Sequence, residues 1–361
     1  MFMTGKTYPA GYPASHPAKR PPRSPAVQFG WFSPGHHAID KGAIFRLKED
    51  TPKERSWKAY LISHWRNIEA GNDMQDILYD GPNHYISLPD RGNIPPTLPN
   101  GDPDPNAGKP KRYSLEEMAE LMSPEMLSAW ETAWRQFPLE PNTMLPTDSL
   151  YNAVLESYAL VKKQLVQIAQ GNKKLDLVVK DEQQQAQETR EVFYEELSKN
   201  IGRLTHYAAD MFIPFHVNNG VADWEVWPGE PNIGMHLFSE GDVLTKSDYT
   251  GLVEEAKQRL EDPNQTPLPE LTETTLPQFI LAKMQASFRK LFEIAAVHRQ
   301  TVADPSVNQS KNTGLRALKD RVRPILAQQI REAQEAIGGM LQAVWKEAGE
   351  PVIRDPEAAA D

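Results

Sequence analysis

The sequence predicts an all-α protein folded as a single multi-helix domain. Long stretches repeat apolar residues every three or four positions, the period of one helix face. The longest carries Leu315, Leu318, Val322, Leu326, Ile330, Ala333, Ile337, Leu341 and Val344. No segment alternates apolar and polar residues as a half-buried strand would, and no internal repeat is visible. With 361 residues, of which 39% are hydrophobic, the chain can bury one large core shared by most of these helices.

In chain order, residues 1–29 are rich in proline and basic side chains but contain no apolar h-region, so they read as a flexible arm and not a signal peptide. The helical domain is expected over 30–349, with a tail over 350–361. Its first helix begins near His36 and runs through Ile39, Ala43 and Phe45. A second spans about 54–70, with Trp57, Tyr60, Leu61 and Trp65 at helical spacing. Turn signals crowd residues 71–110, and 91–112 reads as a surface insertion. Ser114 and Glu117 have capping-box spacing for a helix over 114–136. Leu150, Val154, Tyr158, Val161, Leu165 and Ile168 mark a long amphipathic helix. Val192, Phe193 and Leu197 lead another towards residue 205, and three more cover about 247–261, 275–302 and 314–348.

Composition narrows the chemistry. A net charge of −10 lacks the basic footprint of a protein that binds nucleic acid mainly through phosphate contacts, unless bound cations reverse the sign locally. Mean hydropathy of −0.58 and the lack of a transmembrane-length apolar run predict a soluble protein without an integral membrane segment. No protein partner is predicted. The absence of cysteine removes disulfides, thiolate metal sites and cysteine nucleophiles. Any metal must be held by His, Asp, Glu and backbone atoms, the ligand set of hydrolytic and not structural zinc. Neither a Gly-x-Ser-x-Gly elbow nor a Walker-type glycine loop is present.

The stretch THYAADMFIPFH, 205–216, concentrates the candidate ligands. On a helix His206 and Asp210, four apart, point from one face. Pro214 has no N–H to return to the Asp210 carbonyl, so a kink or an end should re-aim His216. In GMHLFSE, His236 and Glu240 form a second such pair. A lone His–Asp pair is more often an ordinary hydrogen bond; two pairs linked by a third histidine point to metal. WFSPGHH, 31–37, and GPNHYISLPD, 81–90, offer His36 and His84. His37 should point about 100° from His36, yet is its rival if the register slips. His16 falls in the arm, and His64 and His298 read as surface or core polar residues.

These pieces resemble the superfamily of zinc-dependent phospholipases C and fungal single-strand-specific nucleases. Its H-x3-D-x3-P-x-H segment is matched by His206, Asp210, Pro214 and His216, and a later H-x3-E by His236 and Glu240. The W-x3-G-H start is matched by Trp31, Gly35 and His36, and an H-[YF] motif by His84-Tyr85. The resemblance implies an all-α fold with up to three zinc ions. One would take His84, His206, Asp210 and an upstream aspartate, for which Asp73 is favoured, with Asp76 and then Asp80 as alternatives. A second would take His36, the Trp31 backbone and Asp210, which bridges the two. A third would take His216, His236 and Glu240. The resemblance implies phosphodiester hydrolysis by a metal-bridging hydroxide that attacks phosphorus, with Asp210 as the residue on which catalysis most depends. The substrate would be single-stranded nucleic acid or a phospholipid head group, and Trp224 and Trp227 would supply aromatic faces for it. The absence of a strand-rich C-terminal module favours the nuclease-like activity over phosphatidylcholine hydrolysis. A non-catalytic metal-binding or structural role for the same fold is the competing class. The family implies secretion or a periplasmic location, although no signal peptide is visible. Two departures are plain in the sequence: Trp31 is internal, so its amine would exist only after cleavage behind Gly30, and Ser87 stands where relatives place an aspartate.

Overall fold

The computed structural model describes residues 32–77, 84, 112–113, 128, 150–171, 183–217, 223–228, 234–261, 267–307 and 310–353. Among them the architecture is all-α, with nine helices and almost no strand. The helices are α1 (Phe32–Phe45), α2 (Pro52–Ser63), α3 (Trp65–Ile77), α4 (Leu150–Gly171), α5 (Gln183–Asp210), α6 (Met235–Gly241), α7 (Lys246–Glu261), α8 (Leu276–Ala303) and α9 (Lys311–Glu347). The expected arm, the helix over 114–136 apart from Ser128, most of the 91–112 insertion and the end of the tail lie outside the described residues.

The apolar faces identified by their period are turned inward, except at Val192 on α5, which is exposed. On α9, Leu318, Val322, Leu326, Ile330, Ala333, Ile337, Leu341 and Val344 are all buried. This helix packs against α1, α4, α5, α7 and α8. Each fully buried Leu, Ile or Val contributes about 1.5–3 kcal/mol relative to exposure, so the long stripe on α9 is a principal organiser of the core. Pro324 is accommodated on its exposed side, where water can satisfy the carbonyl its missing N–H leaves behind.

One expectation requires correction. The single helix over 54–70 is two helices, α2 and α3, divided at His64. The Tyr60 carbonyl accepts the His64 backbone N–H and the Ser63 hydroxyl at 3.0 Å each, while the His64 ring sits 3.1 Å away. Local polar groups thus end α2 in a way the apolar spacing does not record. Its start also lies earlier, where Thr51 and Glu54 form a capping box in front of Pro52. Strand structure is present as well: β1 (Arg112–Tyr113) and β2 (Asp223–Trp224) pair in parallel, Arg112 opposite Asp223. Two residues are too few to show alternation.

The crossing of α3 and α5 is unusually close. A Cβ at Gly71 would meet the Lys199 carbonyl oxygen and lie 2.6 Å from its Cα; one at Gly202 would meet the Ile68 carbonyl oxygen and lie 2.7 Å from the Asn72 nitrogen. The missing side chains let the backbones touch, which brings Asn72 of α3 beside His206 of α5.

Candidate metal centre

Five pieces of chain deliver the site, one of them the short stretch at His84. His36 lies on α1, His206 and Asp210 close α5, His216 lies in the turn beyond it, and His236 and Glu240 lie on α6. The helix ends at Asp210, four residues before Pro214, and the chain continues in tight turns, with Ile213 N–H donating to the Asp210 carbonyl and His216 N–H to the Ile213 carbonyl. Buried Gln329 of α9 holds that turn through a 2.9 Å hydrogen bond from Nε2 to the Phe212 carbonyl. His216 is thereby turned back towards Asp210. On α6, the His236 backbone N–H donates to Asp223 Oδ1 at 3.0 Å, and the Phe215 ring stacks on the His236 ring.

Three groups of donor atoms result, each with its atoms within 4.8 Å of one another: His36, His206 and Asp210; His84, Asp210 and His216; His216, His236 and Glu240. These buried groups could hold metal ions. Asp210 joins two of them. Its Oδ2 lies 2.8 Å from His84 Nδ1 and 3.5 Å from His206 Nε2, and its Oδ1 lies 3.2 Å from His216 Nδ1 and 3.6 Å from His36 Nε2. His206 Nε2 and His84 Nδ1 are 3.2 Å apart. Glu240 Oε1 lies 2.7 Å from His236 Nε2 and 3.3 Å from His216 Nε2. Ligands on a tetrahedral ion with bonds near 2.0–2.1 Å stand roughly 3.3 Å apart, so these separations fit shared ions.

The electrostatics agree with that fit. Among the described residues the ion-pair partners of Asp210 and Glu240 are all histidines. Positive charge for two buried carboxylates must therefore come from protons on imidazole or from a cation. Burial holds His36 down at about 4 and His206 well below the ordinary imidazole range. Their rings stack with centroids 4.3 Å apart, an arrangement that suits two neutral imidazoles, the form that binds metal. Burial would lower His216 too, but the Asp210 and Glu240 carboxylates outweigh it and raise the ring to about 10. For Asp210 and Glu240 burial acts upwards, and the neighbouring imidazoles overcome it, leaving Asp210 well below the usual carboxylate range and Glu240 at about 2. A bound divalent ion would supply the same charge and displace protons. His36 provides the sharpest observation: it is wholly buried, and neither ring nitrogen has a hydrogen-bond partner among the described residues. Asp210 Oδ1 is equally buried and also lacks a hydrogen bond. A buried polar atom left so is costly, and a shared ion would satisfy Asp210 Oδ1 and the His36 Nε2 that faces it.

The other expected site residues fall elsewhere. Asp73 is not in the cluster: its carboxylate bonds His37 Nε2 at 2.9 Å on the outer side of α3. One helix position away, about 100° round, Asn72 faces inward and its Oδ1 lies 3.0 Å from His206 Nδ1. Asp76 lies on α3, but its side chain, like Trp31, Asp80, Tyr85 and Ser87, is outside the described residues. His37 points towards Glu69 and Asp73, as its offset from His36 predicts. Trp224 and Trp227 do not present faces to a cleft. Both are buried, Trp224 against Phe215 and Trp227 over Gly314 of α9, so they pack the 223–228 connection onto the core. Asn72 and Asp40 escaped the sequence reading; the available signal was the inward face Ile68, Asn72, Gln75 of α3, polar where apolar residues were expected.

His298 is a core residue whose Nε2–H donates to the Val226 carbonyl at 2.9 Å, and burial lowers its pKa to about 4. The unfolded chain, at about 6.5, binds the proton more readily, so this residue's contribution is lost as pH falls from 6.5 towards 4. The expected loss is on the order of 3 kcal/mol. Urea melts of the wild type and His298→Gln at pH 7 and pH 4.5 should show a smaller acid loss in the variant. Equal losses would refute the assignment.

No family model, curated protein or solved structure matches the chain.

Proposed function

We propose that the protein is a zinc-dependent phosphodiester hydrolase of the nuclease-like type within the phospholipase C and single-strand nuclease fold. The observation that carries this reading is the Asp210 carboxylate, whose two oxygens face different imidazoles of adjoining donor groups, beside a third group of His216, His236 and Glu240. Imidazole and carboxylate ligands without thiolates suit hydrolytic zinc. His36, His206 and Asp210 would hold one ion, His84, Asp210 and His216 a second, and His216, His236 and Glu240 a third. Zinc bound there would supply Lewis acidity, lowering the pKa of a coordinated water and offsetting phosphate charge.

The chain's own residues set direction and access. Side-chain exposure is nil at His36, His206 and Asp210, 9% at His84 and 20% at His236, so solvent and a phosphate group approach from the His84 and His236 side. Phe215 and Asp223 keep His236 in place at that opening. The described C-terminal residues form the helices α8 and α9. Among the described residues no helix is long and apolar enough to cross a membrane.

Zinc analysis of purified protein, paired with hydrolysis of bis(p-nitrophenyl) phosphate, single-stranded DNA, RNA and phosphatidylcholine, tests the proposal. Two to three ions per chain and faster turnover of single-stranded nucleic acid than of lipid are expected. Preferential lipid turnover would redirect the substrate to phospholipids. Metal without turnover would leave a structural metal protein.

A further inference from the structure

We propose that Asp40 and Asn72 form a positioning relay that fixes which ring nitrogen His206 offers to a metal ion. The inference rests on the metal-centre reading above and adds two residues that contribute no donor atom to the three groups.

The relay spans three helices, with Asp40 on α1, Asn72 on α3 and His206 on α5, and all three side chains are completely buried. Asn72 Nδ2 donates to Asp40 Oδ2 at 3.0 Å. That bond orients the amide and leaves Asn72 Oδ1 facing His206 Nδ1 at 3.0 Å. A carbonyl oxygen can only accept, so Nδ1 must carry the proton and Nε2 the lone pair. Nε2 is the nitrogen that faces His84 Nδ1 at 3.2 Å and Asp210 Oδ2 at 3.5 Å. With the opposite tautomer, Nε2–H would donate into the cluster and close the ligand position. Partners of this kind, one bond removed from the ion, commonly set ligand orientation and basicity.

Asp40 makes the case stronger, because a buried carboxylate outside every donor group is expensive. Burial raises its pKa to about 8, against the hydrogen bond that Asn72 donates to it. Its Oδ2 receives the Asn72 amide, which identifies the position it orients. The contact of α3 with α5 at Gly71 and Gly202 brings Asn72 within reach, so the relay and the helix crossing are one arrangement.

The test uses the full chain. Apparent affinities for Zn2+, by chelator competition, and for Co2+, by its visible absorption, are measured for the wild type, Asn72→Leu and Asp40→Asn. Asn72→Leu should weaken the affected ion by about 10- to 100-fold and change its cobalt spectrum. Asp40→Asn keeps an oxygen acceptor for Asn72 Nδ2 and should lose less affinity than Asn72→Leu, as a conservative change at a positioning residue. Unchanged binding in Asn72→Leu, or equal losses in both variants, overturns the relay while leaving the metal centre standing. A wild-type protein that binds neither ion overturns the metal centre and the relay with it. The tautomer provides a readout independent of variant folding. In 15N-histidine NMR of the metal-free wild type, with His206 assigned by its absence in His206→Gln, the proton should reside on Nδ1. An Nε2–H tautomer overturns the proposal.

Discussion

Replacing Asp210 with alanine is expected to empty two donor groups together and to lower the proposed phosphodiester hydrolysis by a factor on the order of 10^2 to 10^3. The carboxylate is completely buried and lies within 3.6 Å of four different imidazoles, two on each oxygen. Without it, His36, His84 and His206 keep their nitrogens but lose the negative charge and the atoms that connect them. The group of His216, His236 and Glu240 retains all its donors. Elemental analysis should therefore find a residual ion in Asp210→Ala instead of uniform loss. Asp210→Asn, with one acceptor oxygen left, should fall between the wild type and alanine in zinc content. Full zinc content together with undiminished hydrolysis in Asp210→Ala would refute both the joining role and the proposed chemistry.

Gly202→Ala should be among the most destabilising single-methyl changes in the protein, costing about 3 kcal/mol or more. The added carbon would meet the Ile68 carbonyl oxygen and lie 2.7 Å from the Asn72 nitrogen, and both neighbours are backbone atoms that no rotamer change can move. Relief requires α3 and α5 to separate, which would also draw Asn72 away from His206. Stability and zinc affinity should fall together. Gly251→Ala is the matched control: this helical glycine on α7 has nothing within 4 Å of the added Cβ, so the same change should stabilise by about 0.5–1 kcal/mol. Urea denaturation of both variants checks the contrast, and similar effects at the two positions would argue against a close crossing.

The parts of the molecule legible in the sequence are those set by local period. The helical faces of α4 and α9 are buried as their spacing predicts, because a helix that exposes an apolar stripe has nowhere else to put it. His206 and Asp210, and His236 and Glu240, meet because i and i+4 share a face whatever the surroundings. The offset of His37 from His36 followed from the same geometry.

What lay beyond the sequence depended on contacts between elements far apart in the chain. Asp73 and Asn72 are adjacent letters, and only the position of α5 decides that the amide, not the carboxylate, faces His206. Trp224 and Trp227 have the composition of a stacking platform, but packing against Phe215 and Gly314 makes them core. Asp40 reads as one more charged residue on α1 until Asn72 arrives from 32 positions away. By itself, then, the sequence determined the helical class and the donor pairs within single helices, since both depend on a fixed rise and turn per residue. Which donors share a site, and which polar side chains hold them there, was decided by tertiary structure, because close approaches such as Gly71 on Lys199 and Gly202 on Ile68 set distances that no local period encodes.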